Sequence, residues 1–154
     1  MKSRVWLVAA ASLALCAATL YAADKIKLEG IKCPVSGKAA KDGTEVDYKG
    51  GKVFFCCEGC PKGFADNTAK FATKANHQLV ATGQAKEIKC PFTGRDLNPD
   101  TVIKVAGASV CFCCNNCKGK AEKLEGDEQL TALFGDKAFD KAFKVGEDKD
   151  SDKQ

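Results

Sequence analysis

The chain lacks most of the residues from which catalytic sites are usually assembled. Its 154 residues hold one histidine, His77, and one tryptophan, Trp6. No Ser/His/Asp set, paired carboxylates or phosphate-cradling glycine loop can be picked out, so hydrolytic, acid–base and nucleotide-dependent chemistry has no constellation to work from. No catalytic turnover is expected. Clustered basic residues are missing too. Lysines are interspersed with Asp and Glu as on a solvated surface, and a nucleic-acid footprint would need a concentrated basic face. Beyond residue 23 no segment reads as a membrane helix. His77 stands far in sequence from the cysteine-rich segments, and a surface or capping role is expected for it.

What is present begins with a leader. MKSR carries two positive charges, Val5 to Leu20 is free of charge, and small residues follow in YAAD, so a signal peptidase can cut after Ala22 or Ala23. Residues 1–23 are read as a secretory signal, with an uncleaved anchor as the competing reading. Cys16 is a poor lipoprotein acceptor, because Leu15 stands where such signals want a small residue. The exported chain, periplasmic or secreted, has about 130 residues, enough for one domain or two very small ones. Losing Lys2 and Arg4 takes its formal charge from +4 to +2. No stable membrane insertion is expected after cleavage.

Cysteine is the abundant exception: ten in the chain, nine once Cys16 is removed. An even set in an oxidising compartment suggests a disulfide framework, whereas an odd set leaves a thiol unpaired or several engaged otherwise. Their placement follows an internal duplication. IKCPVSGK from Ile31 matches IKCPFTGR from Ile88, and VFFCCEGC from Val53 matches VCFCCNNC from Val110, always 57 positions apart. From Ile31–Phe64 to Ile88–Ala121 no gap is needed, and twelve positions are identical. Such a repeat resets how the fold is read.

Each copy gives the same series of elements. A short strand delivers the first cysteine into a turn, CPVSG or CPFTG. A β-hairpin follows, TEVDYKGGKVFF with Gly50-Gly51 at its turn, or TVIKVAGASVCF. Its second strand ends in the cysteine cluster, and a helical segment comes next, PKGFADNTAKFATKA in copy one, with Phe64, Phe71 and Ala75 on an apolar face. HQLVATGQAKEIK looks like two strands around Gly83, and GDEQLTALFGDKAFDKAF like two short helices broken at Gly135. Phe54, Phe55, Phe64, Phe71 and Phe112 are expected to form core around the sulfurs. The expectation is a small α+β protein of two tandem treble-clef-like, zinc-finger-like ββα modules, residues 24–80 and 81–146, that share an interface. Residues 147–154 form a charged tail read as disordered. Units this small usually need a covalent or metallic staple.

Both copies have the spacing Cys-x22-Cys-x3-Cys. One ligand on a tight turn, with a hairpin returning to two ligands at a helix start, is how small treble-clef-like metal modules are built. Cys56 and Cys60 at i and i+4 would lie on one helical face, where the helix N-terminus favours thiolate. The glycine in CPxxG lets backbone N–H groups approach the sulfur. CPVSGK with YKGGKVFFCCEGCPKGF, and again CPFTGR with VCFCCNNC, resembles the TRASH and YHS families of heavy-metal-binding modules. The likeness covers roughly Ile26 to Phe71 and Ala85 to Leu124. It implies a metal ion as partner, with Cys33, Cys56 and Cys60 as ligands and Cys90, Cys113 and Cys117 as their counterparts.

One departure bears on the metal. Many members of those families carry a second cysteine in the first turn, where this chain has Ser36 and Thr93, and a neutral hydroxyl is a poor zinc ligand. Cys57 and Cys114 are the candidate fourth ligands for zinc. A three-thiolate site, the other option, suits copper(I). Cys111 is expected on the same strand face as Cys113. Two other functions compete with metal binding: a disulfide-stabilised envelope interaction module without metal, and a thiol–disulfide oxidoreductase using CEGC and CNNC. No protein partner is named by the sequence.

Overall fold

The structure is a computed structural model and describes residues 26–146. The signal read at 1–23 and the charged tail at 147–154 lie outside the described residues. Among the described residues the chain is a small α+β protein with five helices and short antiparallel strands. In chain order these are β1 (Val46–Tyr48), β2 (Gly51–Val53), α1 (Gly59–Asp66), α2 (Thr68–Ala81), β3 (Ala85–Glu87) and β4 (Asn98–Val105). They continue with β5 (Ala108–Phe112), α3 (Asn115–Glu122), α4 (Gly126–Phe134), α5 (Asp136–Ala142) and β6 (Phe143–Val145).

The hairpins β1–β2 and β4–β5 stand at equivalent places in the repeat. Their two-residue turns are Lys49-Gly50 and Ala106-Gly107, with φ of 49° and 88° in the first and 46° and 94° in the second. Two successive positive values define the type I′ turn, whose twist matches that of the strands. The first turn is thus one residue earlier than the expected Gly50-Gly51. Gly51 opens β2 instead, and a Cβ there would come within 2.8 Å of Leu79 Cδ2.

The expected helix after the first cluster is two helices, broken at Asn67 (φ −144°, ψ 49°). Residues 77–81, expected as strand, complete α2. Ala72, Ala75 and Leu79 are buried on one helical face at spacings of three and four, a period that outweighs the local strand preference. Gly83, at φ 74°, ends that helix. Its N–H reaches Val80 O at 3.0 Å and the Gln84 N–H reaches Leu79 O at 2.9 Å, the paired bonds of a Schellman cap. Only the second expected strand, β3, exists. The break at Gly135 between α4 and α5 is as read from the sequence.

Two features tie the halves together. β3 pairs antiparallel with β6, so the start of the second copy is closed by the end of the described chain. Helix α2 lies between them and the first hairpin, with Asn76 Nδ2 donating to Phe134 O at 2.9 Å. The buried Gln78 donates to Phe54 O and Lys32 O and accepts from Phe54 N at 2.6 Å. One hydrophobic cluster contains Val53, Phe55, Phe64 and Leu79 from the first half and Val110, Phe112, Phe134 and Phe143 from the second. Of the phenylalanines expected in the core, only Phe71 is half-buried.

Candidate metal centres

The first cysteine of each copy is held by a turn. Cys33 N donates to Lys38 O and Gly37 N to Cys33 O, at 2.7 and 2.9 Å; Cys90 and Gly94 repeat the pair at 2.9 and 2.7 Å. Gly37 and Gly94 have φ of 72° and 71°, which an L side chain rarely adopts. The second cysteine, Cys56 or Cys113, leaves the hairpin just before the helix. A threonine anchors that exit. Thr44 Oγ1 donates to Phe55 O at 2.6 Å and accepts from Phe55 N, and Thr101 does the same with Phe112, donating at 2.5 Å. The third, Cys60 or Cys117, lies in the first turn of α1 or α3.

These supports bring three sulfurs together twice. Cys33, Cys56 and Cys60 form one group and Cys90, Cys113 and Cys117 the other, with the sulfurs of each group all within 4.8 Å of one another. Cys56 and Cys60 are 3.6 Å apart, and Cys113 and Cys117 are 3.8 Å apart. Zinc–thiolate bonds of about 2.3 Å in a tetrahedron set sulfurs about 3.8 Å apart, so these edges suit one soft ion. The nine cysteines of the described residues are free thiols. Cys33, Cys56, Cys60 and Cys90 are buried, and Cys113 and Cys117 are half-buried.

The remaining cysteines are placed differently. Cys57 is exposed, with its sulfur 3.3 Å from that of Cys60. Cys114 stands at the N-cap position of α3 without a side-chain capping bond, and its sulfur lies 3.7 Å from that of Cys113. Neither belongs to the mutually close triads. Cys111 does not share a centre with Cys113. Its thiol turns towards β4 and donates to Asn98 O at 3.0 Å, while its N–H donates to Glu87 Oε2 at 2.7 Å. His77 also departs from expectation. It is half-buried, with Nε2 3.2 Å from Val105 O and its ring edge-on to Phe134, and burial lowers its pKa. It joins α2 to the second hairpin.

The electrostatics correct the sequence reading in one respect. Helix starts were expected to hold the thiolate; there the pKa falls at Cys57, through contact with Cys60 and then helix-start N–H groups, and at Cys114, through the Cys117 N–H, while within the triads it is the turn cysteines that are lowered. Burial works against ionising Cys33, but the Ser36 hydroxyl and the N–H groups of Ser36, Cys56 and Val35 outweigh it and bring its pKa to about 7. Cys90 is treated the same way: burial is opposed by the Thr93 hydroxyl and the N–H groups of Cys113, Thr93 and Phe92, again giving about 7. The helix cysteines keep their protons. Contact with the Cys57 sulfur, then burial, pushes Cys60 up to about 12; burial, then contact with Cys113 and Cys114, does so for Cys117. Each triad therefore pairs a turn cysteine poised to ionise with a helix cysteine that ionises only if a cation takes the place of its proton.

Ser36 and Thr93 also have a role that reading them as missing ligands did not supply. Ser36 Oγ lies 3.0 Å from Cys56 Sγ, and Thr93 Oγ1 lies 3.3 Å from Cys113 Sγ. They are partners of the sulfurs. The sequence signal for Thr44 and Thr101 was available, since they are one of the twelve identical pairs of the repeat. Comparison with known proteins adds no relative: no family model matches the chain, and neither a curated protein nor a solved structure matches it.

Proposed function

We propose that this protein is an exported, non-catalytic binder of soft metal ions, zinc or copper(I), with one thiolate centre in each half. The observation that carries the reading is the convergence of three sulfurs from a turn, a strand exit and a helix start, twice, in register with the duplication. The order of turn, hairpin and helix supports treating 24–80 and 81–146 as treble-clef-like modules of TRASH/YHS character. Cys33, Cys56 and Cys60 hold one ion, and Cys90, Cys113 and Cys117 the other. Ser36 and Thr93 engage the sulfurs as hydrogen-bond partners, which favours three-thiolate coordination and, with it, copper(I) over zinc.

The test is elemental analysis of exported protein prepared without reductant, with thiols counted before and after chelation. Two metal equivalents are expected, one per triad, with thiols unmasked by the chelator and thermal stability lowered by metal removal. Cys33→Ser and Cys90→Ser should each remove one equivalent. Protein that arrives without metal and with most thiols already paired would instead be a disulfide-stabilised interaction module. Steady turnover in a dithiol-exchange assay would make it an oxidoreductase.

A further inference from the structure

Cys60 has two kinds of neighbour. On its buried side it closes a triad with Cys56 and Cys33, and on its outer side it touches the exposed Cys57 at 3.3 Å, closer than the 3.6 Å to Cys56. A sulfur required by the buried centre is thus in contact with a sulfur that solvent reaches freely. The two lie three residues apart in CEGC across the start of α1, a spacing from which a disulfide can close. The second half is not equivalent. Cys114 is only half-buried rather than exposed, and its sulfur lies 3.7 Å from its own chain neighbour, Cys113. A bond between adjacent cysteines is geometrically strained, so that contact does not lead to the same outcome.

We propose that Cys57 is a thiol–disulfide exchange site that gates the first metal centre, its co-substrate being a small-molecule disulfide. The inference rests on the reading of the triads as metal centres. The Cys57 thiolate attacks the disulfide R–S–S–R, forming a Cys57–S–S–R bond and releasing one RS⁻. Cys60 then attacks the Cys57 sulfur, forming the Cys57–Cys60 bond and releasing the second RS⁻. The two cysteines lose two electrons and R–S–S–R gains them, ending as two RSH after proton uptake. Withdrawing Cys60 leaves the first centre with Cys33 and Cys56 alone, and its ion departs. The second centre, whose Cys114 is half-buried rather than exposed, keeps its ion longer.

The experiment uses the reduced, full exported chain loaded with zinc alone and mixed with excess oxidised glutathione, with release followed by a zinc-sensitive dye. One of two zinc equivalents is expected to leave ahead of the other, accompanied by a Cys57–Cys60 disulfide in the peptide map. Cys57→Ser and Cys57→Ala should each slow that first release by about tenfold or more, since the attacking thiol is gone. Zinc content is measured before oxidant is added. If either variant has lost an equivalent at that stage, Cys57 is a ligand and the proposal is overturned. Release at the unmodified rate in both variants, or a first disulfide that excludes Cys57, overturns it as well. Wild-type protein that takes up no zinc overturns the gate, and if it takes up no copper(I) either, the metal reading falls with it. Normal loading without an early phase sinks the gate alone.

Discussion

Thr44 and Thr101 do at residue scale what no cysteine can do for itself: they fix the backbone one step before Cys56 and Cys113. The Thr101 hydroxyl, in a side chain 1% exposed, both donates to Phe112 O and accepts from Phe112 N, so both polar groups of that residue are satisfied. Ser36 and Thr93 act on the sulfurs. Burial resists the Cys33 thiolate and the Ser36 hydroxyl is the leading group that favours it, so Ser36→Ala should raise the Cys33 pKa above about 7. The measurement is the pH dependence of Cys33 alkylation in metal-free protein, and an unshifted profile would contradict the assignment. Because this thiol's pKa in the folded state lies below its ordinary 9, its stabilising contribution is full above pH 9 and is lost as pH falls through about 7. Glu87 runs the other way. Burial raises its pKa to about 8 from 4.5, with the N–H of Cys111 opposing and the Cys90 charge adding. The folded state therefore holds an extra proton between those values, and stability is lost as pH rises through that window. Glu87→Gln should gain on the wild type steadily from pH 4.5 to 8 in denaturant titrations of metal-free protein. A difference that does not change with pH would remove Glu87 from the account.

At the scale of single elements, the two type I′ hairpins show how the repeat was preserved in geometry while residues changed. Ala106 takes the place of Lys49 at the same positive φ, and a glycine follows each. The adjoining glycine is held by a different constraint. Gly51 lies against α2 and β6, where a Cβ would sit 2.8 Å from Leu79 Cδ2 and 3.0 Å from Val145 Cγ1. Gly51→Ala should therefore cost about 1–3 kcal/mol through overpacking, read as a lower midpoint in urea. If the side chains yield without cost, the close approach is not a constraint. The same packing explains why the strand reading of 77–81 failed. In isolation HQLVA has no decisive period, but Gln78 and Leu79 continue a face begun at Ala72 and Ala75, and Gln78 must reach the backbone of Phe54 from a helix.

Across the molecule, α2 and the β3–β6 pair make one body from the duplicated sequence. Phe143, 3% exposed, lies between Phe134 and Phe139, with ring centroids 5.8 and 5.4 Å away. Phe143→Ala should destabilise the metal-free protein by about 3–5 kcal/mol, because a large buried ring leaves a cavity. Since a single cluster spans Phe55 and Phe64 as well as Phe134 and Phe143, loss of structure should be seen in both halves at one denaturant midpoint. Probes in the two hairpins that unfold at separate midpoints would show that the halves are energetically independent.

Spacing alone determined much of this protein. A repeat offset by 57 positions and gapless from Ile31–Phe64 to Ile88–Ala121 forces equivalent local structure on equivalent residues, so the hairpins, the cysteine-bearing turns and the triads Cys33/Cys56/Cys60 and Cys90/Cys113/Cys117 were legible from the chain alone. Tertiary structure decided what spacing does not encode. It placed Cys56 and Cys113 before the helices, turned Cys111 away to Asn98 O and left Cys57 in solvent against Cys60. It also gave thiolate stabilisation to the turns and brought His77 into the joint between the halves. The physical reason is range: turns and helix ends are set by neighbours in the chain, whereas burial, the direction of a sulfur and the company it keeps depend on segments far away in it.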